Sequence, residues 1–237
     1  MSDRPPIAVA LDTSALAQAV AWAGAVAPHV SVLKVGLQLY LRIGHDGLRE
    51  VRAAAPQCEI FLDLKLHDIP NTVKGATTSV ADLAPKFLTV HASGGREMIS
   101  AAVHAAPEVD IAAVTVLTSM SEQDLQEVGF RGPANDAVRR LAVMSVGAGA
   151  RALVCSPMEV ALVRGEVGPD ITLITPGVRP ATSDSDDQAR VATPEGALAA
   201  GADLLVIGRP ITGADDPATA AKTIAAGLPL PSRRPTR

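Results

Sequence analysis

The chain has 237 residues, 48% of them apolar, 19% charged and 2% aromatic, with a formal net charge of −4. That length holds one large domain or two small ones with a full core, and the apolar share excludes a disordered chain. One Trp, one Tyr and three Phe make no stacking platform for bases, and no basic half offers a stripe for a phosphate backbone, so no nucleic-acid partner is expected.

Short β-branched runs alternate with Ala-rich segments of helical character. The candidate strands in chain order are Ile7–Leu11, Val32–Val35, Ile60–Leu64, Phe87–His91, Ile111–Leu117, Ala152–Cys155, Ile171–Thr175 and Leu204–Ile207. They are continuous apolar runs, the pattern of parallel strands covered on both faces. Between them the composition predicts helices such as Ser14–Ala27, Thr72–Leu83, Glu97–Ala106, Asn135–Gly147 and Pro194–Ala200. Start signals stand at Thr13-Ser14, Asn71-Thr72, Ser121-Glu122 and Thr193-Pro194-Glu195. Eight strand–helix repeats imply an α/β chain folded as a single-domain (β/α)8 TIM barrel. An open doubly wound sheet would alternate in the same way. The glycine-rich first turn of a dinucleotide site is missing, however: Asp12-Thr13-Ser14 follows the first strand.

The expected organisation is an N-terminal extension over 1–6, the barrel over 7–227 and a flexible C-terminal tail over 228–237. The polar N-terminus leads into an apolar run too short for a signal peptide. No stretch of about 18 apolar residues suggests a membrane span. Cys58 and Cys155 are isolated thiols without a disulfide or zinc spacing. A cytoplasmic protein is expected.

Barrels of this kind carry their chemistry at the C-terminal ends of the strands. The first strand ends at Asp12, the second holds Lys34 and ends at Gly36, and the third gives Asp63, Lys65, His67 and Asp68. The fifth ends at Thr118-Ser119, the seventh at Thr175-Pro176-Gly177-Val178-Arg179, and the eighth at Gly208-Arg209. Side chains alternate faces along a strand, so Asp63 and Lys65 point together into the barrel mouth, while Leu62, Leu64 and Leu66 face the helices. The opposite register would bury a carboxylate and an ammonium among apolar helices, at several kcal/mol each. The chain has five lysines, and two of them, Lys34 and Lys65, lie inside apolar strands, where lysine is normally avoided. A structural ion-pair network would also explain them.

Glycines and arginines after the seventh and eighth strands suit a phosphate, gripped by backbone N–H groups and by arginine forks. Ordinary turns with surface arginines are the plainer alternative. His29, His45 and His104 read as surface residues, His67 as an outward or interface residue, and His91 as structural. Ser119 and Ser156 lack a His–acid pair at a hydrolase spacing.

The run Asp63-Leu64-Lys65-Leu66-His67-Asp68-Ile69-Pro70-Asn71-Thr72 resembles the signature of the orotidine 5′-phosphate decarboxylase family. So do Ala10-Leu11-Asp12, Leu33-Lys34-Val35-Gly36, Thr175-Pro176-Gly177-Val178-Arg179, Asp187-Gln188 and Ile207-Gly208-Arg209-Pro210. The matches run in order from Ile7 to Gly227. The resemblance implies conversion of orotidine 5′-monophosphate to UMP and carbon dioxide with no metal and no organic cofactor. It also implies a homodimer with sites at the subunit interface. By the same resemblance Lys65 is the proton donor, Asp63 the carboxylate beside the scissile group, and Lys34 a member of their charged network. Asp68 and Thr72 reach into the partner's site, and Asp12 contacts the ribose. Thr118 lies near the pyrimidine, with Ser121 a lesser candidate, and Arg179, Gln188, Gly208 and Arg209 hold the phosphate. A lysine flanked by carboxylates stays charged, which suits a proton donor better than an imine nucleophile. Two rivals remain. One is a metal-dependent sugar-phosphate decarboxylase or aldolase of the same suprafamily, which places a metal-binding Glu where this chain has Lys34. The other is a barrel that binds phosphate without catalysis.

Overall fold

The structure, a computed structural model, describes residues 4–179 and 192–229. Eight parallel strands close into a barrel in sequence order. They are β1 (Ile7–Ala10), β2 (Val32–Gly36), β3 (Glu59–Leu66), β4 (Phe87–His91), β5 (Asp110–Val114), β6 (Ala152–Val154), β7 (Thr172–Thr175) and β8 (Leu204–Ile207). The outer ring contains α1 (Leu16–Val26), α2 (Leu37–Ala54), α3 (Pro70–Ala81), α4 (Gly95–Ala105) and α5 (Glu122–Glu127). It continues with α6 (Ala134–Gly147), α7 (Val160–Val167), α8 (Pro194–Ala199), α9 (Arg209–Thr212) and α10 (Pro217–Ala226).

Period-two alternation sorts each strand into two cores. One inward residue per strand fills the lower barrel: Ala8, Val32, Phe61, Phe87, Ala112, Ala152, Ile174 and Leu204. Phe61 and Phe87 meet edge to face, 5.8 Å between ring centres, and the alanines of β1, β5 and β6 in the same layer provide the large-and-small filling that close packing requires. Outward residues such as Val9, Leu33, Leu62, Leu88 and Ile111 pack on Ala19, Ala23, Val51, Met98 and Ala102 of the helices. Almost the whole core is aliphatic, as so few aromatic residues demand.

Local chemistry sets several element ends. Ser121 caps α5 reciprocally with Asp124, and Thr193 caps α8, whose first residue is Pro194. Helix α3 starts two residues before the expected Thr72, because Pro70 takes its first turn. The fifth strand, expected to Leu117, ends at Val114, and the chain then turns inward so that Val116, Leu117 and Thr118 face the cavity. Arg4, expected in the N-terminal extension, donates to the carbonyls of Ala27 and Val30 at 2.9 and 3.0 Å. Among the described residues no helix is long and apolar enough to cross a membrane.

The third strand departs furthest from a regular ladder. Leu62 pairs with Leu88, but Leu66 pairs with Val90, so β3 carries two more residues than β4 between these points. Lys65 lies within this bulge at φ 49°, a left-handed conformation costing a non-glycine residue about 1–3 kcal/mol. Leu62 and Leu64 still face the outer core and Leu66 packs against it, while Asp63 and Lys65 share the inner side.

Candidate active site

A cavity of about 280 Å³ opens at the C-terminal ends of the strands. Its walls include Asp12, Lys34, Asp63, Lys65, Thr118, Arg179, Gly208 and Arg209. Eight of the residues expected from six strand ends therefore meet in one space, near the lower end of the size range of small-molecule sites.

The charges alternate along a continuous chain. Lys34 Nζ lies 3.2 Å from Asp12 Oδ1 and 3.4 Å from Asp63 Oδ2, and Lys65 Nζ lies 2.8 Å from Asp63 Oδ1. Lys34 is buried with a side chain only 9% exposed, and two carboxylates make that tolerable. Burial alone would push the Asp63 carboxyl up. Lys34 and Lys65 beside it, with hydrogen bonds from Lys65 and Thr89, outweigh burial and hold it below the ordinary carboxylate value. Asp63 is therefore ionised at neutral pH. Gly36 makes room for this chain: a Cβ there would stand 3.1 Å from Lys34 Nζ and 3.4 Å from Asp12 Oδ1.

Across the cavity, β7 and β8 supply backbone and arginine. Gly177 takes φ 76°, a turn conformation that favours glycine. Val178 bridges to Ala192, and the Arg179 N–H donates to the Ala192 carbonyl at 3.0 Å, which joins the two ends of the segment between them. Gly208 precedes α9, a single turn that begins at Arg209. Gln188 and the polar stretch Thr182–Gln188 lie outside the described residues.

Thr118 is on the cavity wall, whereas the Ser121 hydroxyl is engaged with Asp124, accepting from its N–H and donating to Oδ2 at 2.7 Å. Asp68 and Thr72 are exposed and do not line the cavity of their own chain; Asp68 Oδ1 accepts from the Ile69 N–H at 2.6 Å. His67 and His91 pair with ring centres 5.3 Å apart. Burial, helped by His67 and Lys65, pulls His91 below the usual histidine value, so it is neutral at pH 7. Cys155 reaches the cavity wall, but burial and then Glu159 push its thiol up to about 12, far from a nucleophile's range.

One residue in contact with this chain escapes a search confined to strand ends. Thr89, in the middle of β4, hydrogen-bonds Asp63 and the Lys65 backbone. The available signal is period two from Phe87, which puts the one polar residue of Phe87-Leu88-Thr89-Val90 on the inner face.

A metal would need a cluster of donors. Among the described residues no group of three or more His, Cys, Asp and Glu side chains is placed to hold one, and the Lys34 ammonium stands between Asp12 and Asp63.

Comparisons with known proteins bear on the family. The model of the family described as "Orotidine 5'-phosphate decarboxylase / HUMPS family" matches residues 5–224. A Thermobifida fusca protein named orotidine 5′-phosphate decarboxylase is 69% identical over 223 residues, covering 94% of this chain and 95% of that protein. A Frankia casuarinae protein of the same name is 56% identical over 248 residues, 97% of this chain and 90% of the relative. The crystal structure of orotidine 5′-phosphate decarboxylase from Lactobacillus acidophilus superposes with a TM-score of 0.81 at 36% identity, covering 94% of this chain and 98% of that one. A closed barrel with this charged chain on its second and third strands, and relatives matched over nearly their whole length, lead to one conclusion: the chain belongs to the orotidine 5′-phosphate decarboxylase / HUMPS family.

Proposed function

We propose that the cavity binds orotidine 5′-monophosphate with its C6 carboxylate at the Asp63–Lys65 pair and its phosphate between Arg179 and Arg209. The chain is a carboxy-lyase that converts this nucleotide to UMP and carbon dioxide, the last step of de novo UMP synthesis. The observation that carries the reading of the site is the unbroken alternation Asp12–Lys34–Asp63–Lys65, with no gap above 3.4 Å.

The C6–carboxylate bond breaks and its electron pair stays on C6. The Lys65 ammonium stabilises that charge and gives C6 a proton; carbon dioxide leaves, and Lys65 regains its proton from water. Enzymes lower barriers by about 8–23 kcal/mol, and an unstabilised carbanion calls for the upper part of that range. A proton donor contributes about 10²–10⁴-fold, or roughly 3–5 kcal/mol. Most of the lowering therefore falls to fixed charges and to phosphate binding used in the transition state. Asp63, ionised and close to the substrate carboxylate, adds a repulsion that departing carbon dioxide relieves. Asp12 holds the ribose and Thr118 the pyrimidine, with Gln188 joining the phosphate grip. The donor set needs no organic cofactor or metal.

Asp68 and Thr72 complete the site of a second copy in a homodimer. Several observations support this. Both residues are exposed, as is Ile69 between them. His45 of α2 reaches α3, with its Nε2 2.8 Å from the Ser79 carbonyl oxygen, and α2 exposes Leu37 and Leu41 near its start. An apolar patch beside polar site residues suits an isologous interface. The expected setting is the cytoplasm.

Two experiments test this reading. Mixing orotidine 5′-monophosphate with the protein in EDTA removes the orotate-type ultraviolet absorbance; absorbance that falls only with added metal would favour the metal-dependent alternative. Mixing inactive Lys65→Ala and Asp68→Ala proteins restores about a quarter of wild-type activity if subunits exchange freely within C2 dimers. No recovery after exchange would place Asp68 in its own chain's site.

A further inference from the structure

Thr89 is fully buried on the inner face of β4, and its hydroxyl serves two neighbours at once. The oxygen accepts from the Lys65 N–H at 2.8 Å, and the hydroxyl proton goes to Asp63 Oδ1 at 3.1 Å. The same Oδ1 accepts from Lys65 Nζ at 2.8 Å. The result is a closed ring: Lys65 backbone, Thr89 hydroxyl, Asp63 carboxylate, Lys65 ammonium.

The ring forms where the backbone is least regular. The register of β3 against β4 shifts between Leu62 and Leu66, and Lys65 sits in that shift at φ 49°. A bulge takes residues out of the ladder, so a buried N–H there needs another acceptor. Thr89 provides it from the adjacent strand. A strained conformation persists only where its surroundings over-determine it, and here the same hydroxyl that anchors the strained backbone also orients the carboxylate.

We propose that Thr89 is a positioning residue for decarboxylation: its one hydroxyl sets the Lys65 backbone and the Asp63 carboxylate relative to each other, so that the ammonium is placed before substrate arrives. The proposal rests on the reading that Lys65 and Asp63 perform the chemistry. A valine at position 89 keeps the shape of threonine and can make neither bond; a serine keeps both.

The test compares Thr89→Val, Thr89→Ser and Lys65→Ala in the full-length protein. Thr89→Val lowers kcat roughly 10–100-fold, the scale of misplacing a reacting group by about 1 Å, with little change in KM. Thr89→Ser restores most of the loss. The groups around Asp63 are Lys34 and Lys65, with Asp12 beyond Lys34 and His91 further along β4. Removing the Thr89 donor takes away one influence that holds the Asp63 carboxyl low. Protonation then begins at higher pH, and the acid limb of kcat moves upward in Thr89→Val but not in Thr89→Ser. Wild-type kcat and an unmoved acid limb in Thr89→Val overturn the proposal, as does equal impairment of the Ser and Val proteins. If Thr89→Val does not fold, Thr89→Ala replaces it, and equal kcat in Thr89→Ala and Thr89→Ser overturns the proposal. An active Lys65→Ala protein would instead refute the underlying reading.

Discussion

At the β2–β3 end of the cavity, four charged side chains bond one another directly, and Lys34 and Asp63 are largely shielded from water. At the β7–β8 end the wall is made of glycine backbone and two arginines, and its chain closes on itself through the Val178–Ala192 bridge. The first end is assembled within the bare protein and can polarise a bond without rearrangement, which is what electrostatic catalysis requires. On the proposed reading the second offers donors to a phosphate remote from the bond that breaks, so its contribution passes through binding. On that reading one cavity separates chemistry from grip, and substitutions at its two ends should have different kinetic signatures.

The largest effect is expected at the charged end. Lys65→Ala removes a cation and the proposed proton donor, and kcat falls by at least about 10⁴-fold while the circular dichroism spectrum stays wild-type. Retained activity within tenfold would move the proton donor elsewhere. Gly36→Ala sharpens the comparison, because it adds one methyl group beside Lys34 Nζ and Asp12 Oδ1 without touching a reacting group. It lowers kcat roughly tenfold, since small-to-large changes in packed sites displace neighbours; an unchanged kcat would show that Lys34 has freedom to move. Smaller effects separate two hydroxyls. Thr118→Val weakens kcat/KM several-fold by removing a donor on the cavity wall. Ser121→Ala costs a helix cap and lowers Tm slightly, leaving kcat/KM unchanged. The reverse pattern would reassign the pyrimidine contact to Ser121.

Much of the charged end was legible because alternation on an apolar strand leaves few options: Asp63 and Lys65 had to share a face, and that face could not be the helix layer. The bulge was not legible. The left-handed Lys65 within it hydrogen-bonds Thr89, 24 positions along the chain, and no local pattern in Phe61–Leu66 encodes a partner so distant. The fifth strand's early end has a similar origin. The Thr115 N–H still pairs with the Val154 carbonyl at 3.1 Å, so the apolar run continues past the strand into the cavity wall. At α3, Pro70 outweighed Asn71-Thr72 as a start signal because proline's fixed φ suits the first turn. Asp68 and Thr72 could be named from the signature around Lys65, but they do not line the cavity at the strand ends of their own chain.

The division between the two ends is tested most directly by Arg209→Ala assayed on orotidine 5′-monophosphate and on orotidine, which lacks the phosphate. The account predicts that kcat/KM for the nucleotide falls by roughly 10²–10³-fold, the scale of truncating one partner of a charged pair, while kcat/KM for orotidine is unchanged. Equal losses on both substrates would contradict it, because Arg209 would then act on the chemistry and the two ends would not be separate.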